Sequence, residues 1–174
     1  CAFNYSNFFF TPLSAFSVPP PCFFLQVNSV SMLTGGRIGL NIVGGHTPAE
    51  QAGYGDFLAH DERYRRTDEF LTICCALWEE PHPINFEGTY YTIKNGKLNQ
   101  GFVKPPDHFT EVSRPEIYLG GASPIAIEVA LKHADCMWTL ACSPDVLAER
   151  IAPIIQRPDT ELGLLASIIA RPTR

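Results

Sequence analysis

The sequence predicts an α/β fold built on parallel strands, and three observations carry that expectation. From residue 116 onward, apolar runs and amphipathic stretches follow one another as strand, helix, strand, helix, strand. The candidate strands "EIYLGG", "CMWTLA" and "LGLLASIIA" lack the polar and apolar alternation of a half-exposed sheet, as expected where both faces are covered. Both intervening helices, "SPIAIEVALKHAD" and "SPDVLAERIAPII", open on Ser-Pro. That pair sets a hydroxyl at the N-cap and then a residue without an amide hydrogen, in the turn where that hydrogen has no helical partner. Such βα units form either an open doubly wound sheet or an arc of a (β/α)8 barrel. A complete barrel takes about 250 residues, so 174 residues cannot supply one.

The first half is less regular. Phe8 to Phe10 can form a strand, and "CFFLQVNSVSMLTGG" reads as a short helix that starts after Pro21 and is closed by Gly35 and Gly36. "RIGLNIV" is a short apolar run bounded by Gly44 and Gly45, a buried-strand pattern. Residues 46 to 59 read as a loop. From Asp61, apolar or aromatic residues recur at 64, 70, 71, 74, 77 and 78, one face of a helix running to about Glu79. On that reading Arg63, Arg65, Arg66, Asp68 and Glu69 form mostly its solvated face. "INFEGTYYTI" reads as a hairpin around Gly88, inside an insertion spanning residues 80–115. One domain over 1–174 is expected, with residues 1–20 weakly patterned.

Composition narrows the function. The formal charge is -5 with 13 Lys plus Arg and no basic run, which argues against a nucleic-acid partner or a polybasic membrane patch. No apolar stretch has the length of a membrane span. The opening segment is broken by Pro19, Pro20 and Pro21 and has no basic start, so it does not read as a signal peptide. Six cysteines without a CxxC pair point to reduced thiols and a cytoplasmic location. Metal-ligand spacing, a nucleophile elbow, a Walker A loop and a GxGxxG turn are all missing from the sequence.

Ligands of parallel α/β folds gather at the carboxyl ends of the strands. Three places qualify here. In "GGAS", Gly120 and Gly121 let the backbone turn, and Ala122, Ser123 and the free amides of the following helix can hold a phosphate; a plain N-cap is the alternative. In "NIVGGH", Gly44, Gly45 and His46 lie at or just past a strand end, where a glycine pair permits close approach of a cofactor. In "HDERYRRTDEF", Tyr64 falls on the apolar side of the first turn, so its ring can pack while its hydroxyl reaches the strand-end pocket; core packing alone is the alternative.

Four ordered blocks, "LTGGRIGLNIVGGHTPAEQ", "GDFLAHDERYRRTDEFLTICCALW", "INFEGTYYTI" and "RPEIYLGGASPIAIEVALKHAD", resemble the bacterial-luciferase-like flavin monooxygenases, nearest to the alkanesulfonate monooxygenase branch. The resemblance covers roughly residues 21 to 174. It implies a partial TIM-type (β/α)8 barrel without the first and last strands. It also implies oxygenation of a small organic substrate, organosulfur compounds among them, by O2 through a flavin C4a-peroxide. The cofactor would be reduced FMN delivered by a separate flavin reductase, and a homo-oligomer is expected. Tyr64 and Ser123 match positions that contact the FMN phosphate region, together with Gly121 and Ala122. Gly44 and His46 match the strand end near the flavin ring.

Two departures follow from the same alignment. Relatives commonly read "NVVTGG" where this chain has "NIVGGH", so Gly44 replaces a threonine. The sulfonate enzymes carry Arg and His two apart in the last strand, where this chain has Leu165 and Ser167. The alternative reading is a truncated, non-catalytic βα protein or a subunit that needs a partner chain. Without the cationic pair, the anion has no fixed positive charge to replace its water, and Ser167 offers no base that titrates near neutral pH. Given a flavin reductase, NADPH, FMN, O2 and alkanesulfonates, the chain should release hydrogen peroxide and no sulfite. Sulfite in proportion to NADPH consumed would show that the catalytic strand lies elsewhere.

Overall fold

The computed structural model of the chain describes residues 9–13, 18–45, 47–104, 114–156 and 160–165, with only the backbone for 9–13 and 165. Its framework is a five-stranded sheet of β1 (Phe9–Leu13), β2 (Ile38–Val43), β5 (Glu116–Gly120), β6 (Cys136–Leu140) and β7 (Glu161–Leu165), in the order β1-β2-β5-β6-β7. Every neighbouring pair is parallel. Strand order therefore follows chain order, with no reversal. Right-handed crossovers that always step the same way lay all their helices on one face, so the sheet is an arc of a (β/α)8 barrel and not a doubly wound one.

The helices on that face are α1 (Pro20–Thr34), α3 (His60–Glu79), α4 (Pro124–His133) and α5 (Pro144–Ile155), with a short α2 (Pro48–Gly53) before α3. α1 packs on α3, α3 on α4 and α4 on α5 in succession. Beneath them, Leu40 and Ile42 of β2, Ile117 and Leu119 of β5 and Met137 of β6 are almost fully buried. Residues between these point to the other face and include Asn41, Tyr118 and Trp138. Covering one face by helices and the other by the barrel interior explains the missing alternation in these strands.

Several element boundaries shift for local reasons. α1 begins at Pro20, two residues before the expected start, because two prolines are tolerated in a first turn; it ends at Gly35, whose φ of 65° is the left-handed cap. The stretch 46–59 is not all loop: Thr47-Pro48 opens α2, which is too short to show an apolar period. α3 runs from His60 to Glu79. Its charged residues divide differently from the sequence reading. Arg65 is exposed, whereas Arg63 and Arg66 are buried, at 2% and 9% exposure. Arg66 makes a bidentate pair with buried Asp56, at 3.1 and 2.6 Å.

The hairpin of β3 (Ile84–Glu87) and β4 (Thr92–Gly96) docks on α3 through two carboxylates, Glu62, which accepts the Tyr90 hydroxyl, and Glu69. Glu69 accepts the amides of Thr89 (2.7 Å) and Tyr90 (2.8 Å), and a side chain at Gly88 would collide with it at 2.5 Å. Asn28 of α1 is the second tie. It accepts from the Trp78 indole (2.9 Å) and donates to the Gln100 carbonyl (2.6 Å). Cys142, between β6 and α5, is exposed and lies outside the elements, unlike the other described cysteines.

At the amino ends of the strands Asp135 joins three of them. Its carboxylate takes Arg114 in a fork (2.6 and 2.8 Å) and the Ile117 amide (2.8 Å), while its carbonyl accepts the Glu161 amide (2.7 Å). Both partners of the ion pair are about nine-tenths buried, with 12% side-chain exposure each. Asp135→Ala removes the bidentate partner of a buried guanidinium that also pairs with Glu79 at 2.9 Å, and the expected loss is about 3 kcal/mol of stability. Urea denaturation of the two chains measures it; a loss below about 1 kcal/mol would place the pair among ordinary surface bridges.

Candidate functional site

The parallel register brings the carboxyl ends of β2, β5 and β6 level. Val43 pairs with Gly120, Gly120 with Trp138 and Trp138 with Gly163, one row across four strands. Above that row lies a cleft of about 410 Å³. Gly44, Tyr64, Gly121, Ala122 and Ser123 all line it, so five of the six candidate residues named from sequence meet in one place. His46 lies outside the described residues.

Each lining residue is placed by a local cause. Tyr64 sits in the second turn of α3, where burial of the ring (5% exposed) lets its hydroxyl donate across the cleft to the Gly120 carbonyl at 3.3 Å. Burial pushes the phenol above its ordinary range, against the opposing charge of nearby Arg63, so near neutral pH the hydroxyl is a donor. Two glycines make room for it. A Cβ on Gly44 would stand 2.7 Å from the Tyr64 ring, and one on Gly121 would stand 3.0 Å from its hydroxyl and 2.4 Å from Ala126. The Gly44 that replaces threonine therefore lies against the tyrosine ring.

Ser123 is the N-cap of α4, and its Oγ accepts the Ala126 amide at 3.3 Å. The bond is long, and Ser123 stands at the amino end of α4, the positive end of the helix dipole. Ser143, expected to cap α5 in the same way, makes no side-chain capping bond; only its carbonyl serves, accepting the Leu147 amide at 2.9 Å. The Gly-Gly turn before Ser123 is what separates the two openings.

The sequence reading missed Trp138, Thr139 and Leu140, which form the β6 wall of the cleft. Trp138 stacks on Tyr118 with ring centroids 5.6 Å apart, and the absent side chain of Gly163 leaves space for its indole. Its place at a strand end was legible, but its direction depends on register. His60 also lines the cleft, 5.0 Å from the Tyr64 ring centroid, and is held by Asp61 at 2.7 Å. Arg63 was assigned to the solvated face, yet its guanidinium lies under the Gly44-Gly45 turn.

The arrangement can bind an anion beside an extended planar group: donors and a helix N-terminus stand at one end, glycine backbone and an indole at the other. Among the described residues it holds no ready nucleophile. Burial pushes the Cys75 thiol to about 12 and Cys136 to about 11, and both belong to the packed interior. No described helix is long and apolar enough to cross a membrane.

Comparison with known proteins agrees with this geometry. The chain superposes on EDTA monooxygenase from Chelativorans sp. BNC1 with a TM-score of 0.69 and 28% identity, covering 91% of this chain and 43% of that one. It is similar to a long-chain alkane monooxygenase at TM-score 0.68 and 27% identity, covering 91% and 42%. A riboflavin lyase, solved with modified FMN and riboflavin, shares the fold at TM-score 0.71 and 24% identity, covering 91% and 40%. The chain thus spans less than half the length of these relatives. The model of the luciferase-like monooxygenase family matches residues 25–173, nearly the whole sequence, and the chain belongs to that family.

Proposed function

We propose that the strand-end cleft binds reduced FMN and that the chain takes part in a flavin-dependent monooxygenation of a small organic substrate. The observation that carries this reading is the convergence of Gly44, Tyr64, Gly121 and Ser123, from three separate elements, on one cleft. The donor set suits a phosphate: the Ser123 hydroxyl and the Tyr64 phenol, turned from its long bond to the Gly120 carbonyl (3.3 Å), supply hydrogen bonds at a helix amino end, without a fixed carboxylate to repel it. The glycines at 44 and 121 leave room for the Tyr64 ring to stand between the two strand ends, and Ala122 adds little bulk to the lining beside them. His46 joins the set by its place in sequence.

Reduced FMN, when bound, supplies the electrons that activate O2. The chain's own residues hold and shield it. Trp138 and Leu140 present apolar surface on the β6 side, which limits water there. Tyr64 keeps its proton and orients the phosphate end, and the His60 ring lies beside it in the cleft lining. Relatives that act on EDTA and on long-chain alkanes differ widely in substrate, and an organosulfur compound remains the proposal from the alkanesulfonate resemblance. A flavin reductase would deliver the cofactor, and a homo-oligomer in the cytoplasm is the proposed state.

A second reading, a βα subunit that acts only with another chain, is favoured by exposed apolar groups near β7: Leu140 at 64%, Leu164 at 50% and Leu162 at 38%. Anaerobic titration with FMNH2 tests the first reading. Tyr64→Phe and Ser123→Ala should each weaken binding by about 1.5 to 3 kcal/mol, roughly 10- to 150-fold, the range for a hydrogen bond to a charged group. Affinity unchanged in both variants would show that the phosphate does not sit there.

A further inference from the structure

We infer that Arg63 is a positioning residue for the cleft, setting the orientation of the Gly44 and Gly45 peptide groups that form its β2 wall. The consequence for binding rests on the cofactor reading above; the geometry does not. Arg63 is 2% exposed. Its Nε donates to the Gly44 carbonyl at 2.8 Å and its Nη2 to the Gly45 carbonyl at 3.2 Å, while Nη1 donates to the Leu58 carbonyl at 2.8 Å. One side chain therefore ties the turn after β2 to the segment that leads into α3. The acid nearby, Asp56, is taken by Arg66 in a fork, so the Arg63 fork is turned to carbonyls.

Those bonds fix direction as well as distance. A planar trans peptide points its carbonyl and the following amide hydrogen to opposite sides. With the Gly44 carbonyl drawn to Arg63, the Gly45 N–H points away from the guanidinium. The turn is also closed to side chains: Gly45 has φ of 81°, and a Cβ there would meet the Gln51 amide at 2.5 Å. Gly44 is gripped twice by consecutive residues of α3, its carbonyl by Arg63 and its Cα side by the Tyr64 ring. Arg63 thereby sets the β2 wall against the same tyrosine that reaches across to Gly120. Lysine cannot substitute. Its donors share one nitrogen, whereas the planar guanidinium spreads five N–H groups over a fork that spans residues 44 to 58.

The test uses Arg63→Lys, which keeps the charge and loses the fork, beside Arg63→Met, which loses both. Anaerobic FMNH2 titration should show both variants binding about tenfold or more weaker than the unaltered chain, and within roughly threefold of each other. Amide exchange in Arg63→Lys should rise about tenfold or more in fragments covering 43–60, and stay within roughly twofold in those covering 117–131. Binding by Arg63→Lys equal to the unaltered chain overturns the inference, because charge alone would then suffice. Exchange that rises equally in both regions, or a lysine variant that does not fold, also overturns it and makes Arg63 a general stabiliser. Failure of the unaltered chain to bind FMNH2 sinks the cofactor reading instead, and the exchange result then decides Arg63 by itself.

Discussion

The in-register parallel pairing of β2, β5 and β6 is the constraint on which the rest depends. It sets Val43, Gly120 and Trp138 in one row, and everything with chemical character lies just beyond that row. Parallel strands of equal stagger end at the same level, so the turns that follow must share one rim. A slip of one residue would exchange the faces of each strand. Leu119 and Met137 would then leave the helix layer, and Trp138 would enter it.

Packing and binding are coupled at this rim through Tyr64. Its ring is part of the hydrophobic core, while its hydroxyl crosses the cleft. The two glycines it touches belong to different strand ends, so the ring acts as a spacer between the β2 and β5 turns. Beneath it, Arg63 takes up backbone carbonyls that no strand partner reaches. A buried guanidinium is tolerated when its donors are satisfied, and here the carbonyls of a glycine turn do that. Stability and cleft shape thus share the same residues in the first turns of α3.

Two further ties keep the helices from sliding under the rim. Asp68 of α3 accepts from Lys132 (2.7 Å) and His133 (2.6 Å) at the far end of α4. Burial raises the Asp68 carboxyl and these two partners more than offset it, leaving it below its ordinary range; burial likewise holds His133 below its own. The far end of α4 is therefore clamped to α3 about one turn beyond Tyr64. At the amino edge of the sheet Asp135 serves β5, β6 and β7 together.

The sequence by itself determined the elements that local chemistry dictates. Pro-opened helices, the Gly35 cap, the hairpin around Gly88 and the uninterrupted apolar strands each answer to propensity or to period. Tyr64 and Ser123 were legible for the same reason: one falls on the apolar stripe of a helix, the other stands before a proline after two glycines. Tertiary structure alone decided whether the sheet was doubly wound or curved, because strand order is a property of long-range pairing. It also decided the fate of the arginines in "ERYRR". Helical periodicity treats every charged position as solvated, yet Arg63 and Arg66 are drawn inward by the Gly44 and Gly45 carbonyls and by Asp56, acceptors up to nineteen residues away. No local pattern announces such partners; only the folded chain brings them within hydrogen-bond reach.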